Sequence, residues 1–315
     1  MIVTLTANPS LDRTVVLSAP LQPGRVQQAS STREDAGGKG VNVARVVAAA
    51  GHETLAVLPL ADTDPFDVAL RAVGVRARRV PVTAHARANV TIADPEGVTT
   101  KLNLAGAGLT AAEAAAVIEA VSDACSGARW LVLAGSLPPG VSPAFYVDVI
   151  HAVRERLGDR APRVAVDTSG DALRAVVERG APDLIKPNDE ELAALAGEDL
   201  DPQGDLPGSV LAVARRLVPA KAGSALVTLG GRGAVLVEPD AAWFGAAPRI
   251  AVASTVGAGD SALAGYLLAD VAGRGPAERL RTAIRYGAAA ASLPGTQAPS
   301  PSDLPDDDVT VSSLI

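Results

Sequence analysis

With 315 residues, the chain is long enough for one large α/β domain or two medium ones, and either buries a substantial core. Twenty-eight lysines and arginines against 35 aspartates and glutamates give a net charge of −7. That balance argues against nucleic acid as the main partner, because phosphate-backbone binding shows a basic excess.

A single cysteine, Cys125, excludes an intrachain disulfide and fits a reducing compartment. The three histidines, His52, His85 and His151, show no metal-ligand spacing, so no zinc site is expected. The opening M-I-V-T-L-T-A-N-P carries no basic segment or long apolar run, and no stretch approaches the ~18 uninterrupted apolar residues of a membrane span. A soluble, cytoplasmic protein with no membrane partner is therefore expected.

Apolar runs of strand length lie at 2–6, 55–58, 130–134, 164–167, 183–186, 225–229, 234–237 and 250–253. Helix-like segments at 41–50, 65–73, 111–124, 143–157, 171–178, 189–196 and 209–218 fall between most of them. Two more, at 260–271 and 276–292, precede a Pro/Asp-rich tail. This alternation predicts βαβ units and a doubly wound, mostly parallel sheet flanked by helices, in one α/β domain spanning 1–315. Residues 12–35 and 79–104 break the pattern with β-branched residues and turns, and D-P-E-G reads as a hairpin turn. Two such insertions separated by a βα unit are expected to form a small β-sheet lid inserted in the α/β core, of the kind that excludes water from phosphoryl transfer.

The stretch S-T-V-G-A-G-D-S-A-L-A-G, which opens the 260–271 helix, crowds glycines around Asp260. G-A-G-D-S-A matches the G-x-G-x-x-A dinucleotide fingerprint, but 276–292 reads as a second helix where that fold needs a strand. Two readings stay open locally. Asp260 caps the helix, or the amides of Gly257, Ala258 and Gly259 cradle a phosphoryl group while Asp260 accepts a proton.

D-A-G-G-K-G-V-N-V-A is a second glycine-rich helix start, without the spacing of a Walker A loop. Gly37, Gly38 and Gly40 allow close approach of backbone to a ligand, and Lys39 and Asn42, three apart, share a face. In L-I-K-P-N-D-E-E-L, Asn188 and Glu191 have capping-box spacing, and Glu191 equally suits a Mg²⁺ held through water. Lys186, at that strand's carboxyl end, is placed to meet nucleotide phosphates. V-T-L-G-G-R-G-A-V-L-V reads as a β-turn-β unit, with strand ends of the kind that bind nucleotides.

Together, N-P-S-L-D (8–12), G-G-K-G-V-N-V-A (37–44), K-P-N-D-E-E (186–191) and T-V-G-A-G-D (255–260) resemble the ribokinase-like, or PfkB, carbohydrate kinases over nearly the whole chain. The resemblance implies an ATP- and Mg²⁺-dependent phosphotransferase acting on an alcohol group. It makes Asp260 the base, with Gly257, Ala258 and Gly259 as the anion hole. Glu191 becomes the residue supporting Mg²⁺ with Asn188 beside it, and Lys186, Thr228, Gly230, Gly231, Arg232 and Gly233 become ATP contacts.

The opening T-L-T-A-N-P-S-L-D-R-T is similar to the phosphosugar subgroup, which takes in 1-phosphofructokinases and tagatose-6-phosphate kinases. On that basis Asp12 bonds sugar hydroxyls, with Gly37, Gly38, Lys39 and Asn42 also at the sugar. Arg87 and Lys101, on the lid strands, hold the phosphate already present, with Arg25 as a further cation. Residues 26–29 read V-Q-Q-A where many relatives carry V-N-R-A. The implied reaction is D-fructose 1-phosphate to fructose 1,6-bisphosphate. Tagatose-6-phosphate kinase, 6-phosphofructokinase and a non-catalytic sugar-phosphate or nucleotide sensor remain alternatives. An exposed lid edge would also allow a homodimer.

Overall fold

The computed structural model describes residues 1–201, 204–306 and 309–315. The first half of the chain forms β1 (Ile2–Leu5), β2 (Ser10–Leu17), β3 (Ala29–Gly37), α1 (Lys39–Ala49), β4 (Thr54–Leu60), α2 (Phe66–Ala72), β5 (Ala77–Pro81), β6 (Arg87–Ala93), β7 (Thr99–Asn103), α3 (Ala111–Ala124), β8 (Trp130–Ala134) and α4 (Phe145–Leu157). The second half adds β9 (Arg163–Asp167), α5 (Gly170–Arg179), β10 (Leu184–Ile185), α6 (Asp189–Ala196), α7 (Leu206–Ala214), β11 (Ala225–Thr228), β12 (Ala234–Val237), β13 (Ala242–Gly245), α8 (Ala258–Val271), α9 (Pro276–Ser292) and β14 (Val311–Ser313).

The main sheet is ten-stranded, in the order β14-β13-β12-β11-β10-β9-β8-β1-β4-β5. It is parallel from β11 to β5, and β12, β13 and β14 pair antiparallel at the other edge. The central strands are apolar throughout because both faces are covered, as a parallel sheet requires. Side chains on β1 alternate between the two layers: Val3 and Leu5 pack with α3, α4 and α5, whereas Ile2 packs with α1, α8 and α9. Helix α8 is buried from Asp260 to Asp270 on every side, as expected of a helix enclosed between sheet and partner helix. This is the doubly wound α/β architecture expected from the alternation.

The insertions form a separate four-stranded sheet, β3-β2-β6-β7. Its register sets Asp12 opposite both Asp35 and Asn89, and Ser10 opposite Arg87. Residues paired in register share a face, so Ser10, Asp12, Arg87, Asn89 and Asn103 lie on one side. Leu11, Val15, Val90, Ile92 and Leu102 lie on the other.

Some local expectations change. Residues 250–253 are not a strand: the Ala253 and Ser254 amides donate to the Ala291 carbonyl at the end of α9, which takes the bonds a sheet neighbour would need. Residues 79–81 belong to the main sheet as the end of β5, in register with β4. The tail contributes β14, which pairs with β13; three residues carry too little periodicity to be recognised without their partner.

One contact limits how α1 meets β1. A Cβ added at Gly40 would lie 2.5 Å from Thr6 Oγ1 and 2.7 Å from the Leu5 carbonyl oxygen. Backbone cannot yield there as a flexible side chain would. Gly40→Ala is expected to cost about 2 kcal/mol in chemical denaturation, and an unchanged midpoint would contradict this packing.

Candidate active site

The carboxyl ends of the parallel strands gather a compact group of charges. Asp167 is the last residue of β9 and fully buried; Lys186 follows β10 directly and is only 4% exposed. Lys39, the first residue of α1, donates from Nζ to Asp167 Oδ1 at 2.6 Å, and Lys186 Nζ lies 3.2 Å from Asp167 Oδ2. Burial alone would raise the Asp167 carboxyl, but Lys186 and Lys39 together hold it below its ordinary value. Burial would likewise lower Lys39, yet the Asp167, Asp260 and Glu191 carboxylates keep it above the usual lysine range.

Asp260 faces this group from the first turn of α8. Gly257 precedes the helix with φ 79°, a left-handed conformation that favours glycine, and no side chain caps the helix. The Asp260 carboxylate accepts from Asn42 Nδ2 at 2.8 Å, across 218 residues of sequence. Capping and proton acceptance were both open from sequence. The observed bond ties Asp260 to α1 rather than to the amides of its own helix. Burial, then the Asp167 charge, pushes its carboxyl up to about 6, against the pull of Lys39, the Asn42 bond and Lys186. Lys186 also reaches the glycine turn: a Cβ on Gly259 would lie 3.3 Å from Lys186 Nζ. The Ala258 amide donates to the Thr255 carbonyl at 3.4 Å, and the glycine turn with the Lys186 ammonium beside it suits an anion.

A second group lies where the small sheet meets the main one. Asp12 Oδ1 accepts from Ser10 Oγ at 2.8 Å and Asn89 Nδ2 at 2.9 Å. Its carboxylate abuts Gly37, where a Cβ would overlap it at 2.1 Å. Burial raises the Asp12 carboxyl, against hydrogen bonds from Ser10 and Asn89 and the charge of Arg87. Arg87 Nη1 donates to the Leu104 carbonyl at 3.1 Å, and burial lowers its guanidinium. Arg87 Nε, Asn42 Oδ1 and Asn89 Oδ1 are buried without a protein partner. Donors and acceptors of this kind suit a hydroxyl-rich, anionic ligand.

Asn188 and Glu191 form the capping box read from their spacing: Glu191 N donates to Asn188 Oδ1 at 2.7 Å and Asn188 N to Glu191 Oε2 at 2.9 Å. Thr228 lies beside Asn188 through a parallel bridge. Gly230, Gly231 and Arg232 form a short 3₁₀ turn that ends at Gly233, and Arg232 Nη2 pairs with Asp189 Oδ2 at 2.9 Å.

Two predicted cations are exposed. Lys101 is exposed and pairs in register with Thr91, four residues along β6 from Arg87, or about 13 Å at strand spacing. Arg25 lies in the exposed connection between β2 and β3. Conversely, Asp167 and Asn89 were not singled out by sequence. A carboxylate ending the apolar run V-A-V-D and an amide two places after Arg87 in R-A-N-V were the available signals.

The model of the pfkB family of carbohydrate kinases matches residues 6–303. The chain belongs to that family. A 1-phosphofructokinase of Rhodobacter capsulatus is 34% identical over 309 residues, 96% of this chain and 94% of the relative. A 1-phosphofructokinase of Escherichia coli is 31% identical, covering 92% and 91%. The crystal structure of phosphofructokinase-2 from Escherichia coli in complex with substrates and products superposes with a TM-score of 0.87 at 31% identity, covering 96% of each chain. The family assignment and the ribokinase-like fold implied by the motifs therefore hold, and the chain is a sugar-phosphate kinase of the pfkB family.

The raised Asp260 carboxyl has a consequence for stability. Between its ordinary 3.8 and about 6 the folded kinase binds more protons at this site than the unfolded chain. The site's contribution to stability is thus present below that window and lost as pH rises through it. Asp260→Asn removes the titration. The variant's thermal midpoint is expected to exceed the wild type's by more at pH 8 than at pH 4.5, and equal differences at both pH values would contradict the assignment.

Proposed function

We propose that this kinase transfers the γ-phosphoryl group of ATP to D-fructose 1-phosphate, giving fructose 1,6-bisphosphate. The observation that carries the reading is the buried Asp260 carboxylate, held by Asn42 at an uncapped helix start and flanked by Lys39 and Lys186. The relatives named as 1-phosphofructokinases, each aligned over most of its length, favour this substrate over tagatose 6-phosphate and fructose 6-phosphate.

Asp260 takes the proton of the primary hydroxyl as it attacks phosphorus. A carboxyl near 6 is charged yet basic enough to accept that proton close to neutral pH. Amides of residues 257–259, with Lys39 and Lys186, stabilise charge developing on the transferred group. Asp12 and Asn89 hold sugar hydroxyls, and Arg87 holds the resident phosphate, with Lys39 contributing. Lys101, on the same face but further along β7, is a more distant candidate for that phosphate.

Among the described residues there is no group of three or more His, Cys, Asp and Glu side chains that could hold a metal unaided. The capping box engages only one oxygen of Glu191. The free oxygen fits a Mg²⁺, which Glu191 would hold as the protein's carboxylate, through water. Bound Mg²⁺–ATP supplies the phosphoryl group and offsets its charge. Lys186, Thr228 and the 230–233 turn line the nucleotide side. The small sheet acts as a lid over the sugar.

A coupled assay of ADP release with the three phosphosugars tests the substrate. The highest kcat/KM is expected for fructose 1-phosphate, and Asp260→Asn is expected to lower kcat by about three decades. Near-normal turnover in that variant would refute the base. ATP binding without transfer to any of the three would favour a sensor.

The lid's outer face supports pairing of two copies. Leu102 is 53% exposed there beside the half-buried Val15, Val90 and Ile92, an apolar strip open to water and bordered by the Arg13–Glu34 ion pair. An inhibited form of Escherichia coli phosphofructokinase-2 is tetrameric. Light scattering is expected to give a dimer for the wild type and a monomer for Leu102→Glu; a monomeric wild type would refute the pairing.

A further inference from the structure

Asp64 lies in the D-T-D-P connection between β4 and α2 and is only 4% exposed. Both of its carboxylate oxygens accept main-chain amides. Phe66 N donates to Oδ1 at 2.9 Å, and Ala86 N donates to Oδ2 at 2.6 Å. The first bond is local and starts α2 as an Asx turn. The second crosses 22 residues of sequence, to the residue immediately before Arg87. An asparagine has one acceptor oxygen and would serve the local turn as well. Only the bond to Ala86 requires the second acceptor of a carboxylate.

The segment leading into the lid is fastened at further points. Val82 N donates to the Leu60 carbonyl at 3.4 Å, and Thr83 N donates to Glu113 Oε1 at 2.7 Å. Asp64 is the last of these anchors between β5 of the main sheet and β6 of the small one. It therefore fixes where the Arg87 side chain departs from the backbone. Arg87 then bonds the Leu104 carbonyl through Nη1, while Nε stays buried and unpartnered.

We propose that Asp64 is a positioning residue for Arg87. It sets the reach of that guanidinium toward the phosphate already on the sugar, and so favours a phosphorylated over an unphosphorylated substrate. The proposal rests on the ketose-phosphate reading above.

The test is a double-mutant cycle of Asp64→Asn and Arg87→Met, with KM and kcat measured for fructose 1-phosphate and for free fructose at saturating ATP. Asp64→Asn is expected to raise KM for fructose 1-phosphate about tenfold, as for loss of one charge-assisted hydrogen bond, with kcat nearly unchanged. It should leave kcat/KM for fructose as it was. The double variant should be no worse than Arg87→Met alone, because both act through one contact. If the asparagine variant folds poorly, Asp64→Ser keeps the local turn, removes the second acceptor and should show the same KM shift. Equal losses on both sugars, or additive losses in the cycle, would overturn the proposal while leaving the kinase reading intact. A wild-type enzyme inactive on fructose 1-phosphate would overturn both.

Discussion

The rest of the site depends on a carboxylate that never meets water. Asp167 brings a lysine from the start of α1 and another from the end of β10 to one point at the carboxyl edge of the sheet. Without it, two ammonium groups would share a mostly buried space and repel. With it, one net positive charge remains beside Asp260. Breaking a buried pair of this kind leaves an uncompensated charge worth about 3–5 kcal/mol. The surroundings are arranged to keep the pair: the Asp167 main-chain carbonyl accepts from Gly135 N at 2.9 Å, and Thr168 Oγ1 and Tyr146 Oη both donate to the Gly135 carbonyl. The ends of β8 and β9 are therefore fixed to each other before any ligand arrives.

This electrostatic arrangement also explains the position of Asp260 on the pH scale. Burial and Asp167 raise its carboxyl, while Lys39, Lys186 and the Asn42 amide restrain the rise. Burial and the like charge favour the protonated form, while the lysines and the amide favour the charged one. Asp167 therefore acts twice, neutralising the lysines and lifting its neighbour. The small sheet adds a second polarity to the same cleft. Its alternation puts Asp12, Asn89 and Arg87 on one face, and Leu11, Val15, Val90, Ile92 and Leu102 beside the Arg13–Glu34 ion pair on the other.

Much of the architecture was legible in the sequence because a sheet covered on both faces needs apolar strands, and these are present at 130–134 and 164–166. The Asn188–Glu191 capping box was legible for a different reason: its bonds connect residues three apart, so spacing alone specifies them. Features whose partners are remote were not. Residues 250–253 have strand composition, yet the adjacent amides of Ala253 and Ser254 are taken by the end of α9. Strand β14 exists only because β13 is beside it. Asp167 ends an apolar run like any strand-terminal carboxylate, and nothing local discloses that two lysines, one 128 residues away, meet it.

The two readings of Asp260 were inseparable in sequence because a cap and a base both sit at a helix start and both favour negative charge there. The structure adds one bond to the comparison. A capping carboxylate would take one or two of the amides of the first turn. Here the carboxylate turns instead to Asn42, so the start of α8 keeps its exposed dipole with no side chain upon it. The proposed base and an anion at the glycine turn are compatible because α1, 218 residues earlier in sequence, supplies a hydrogen bond that the helix itself would otherwise provide.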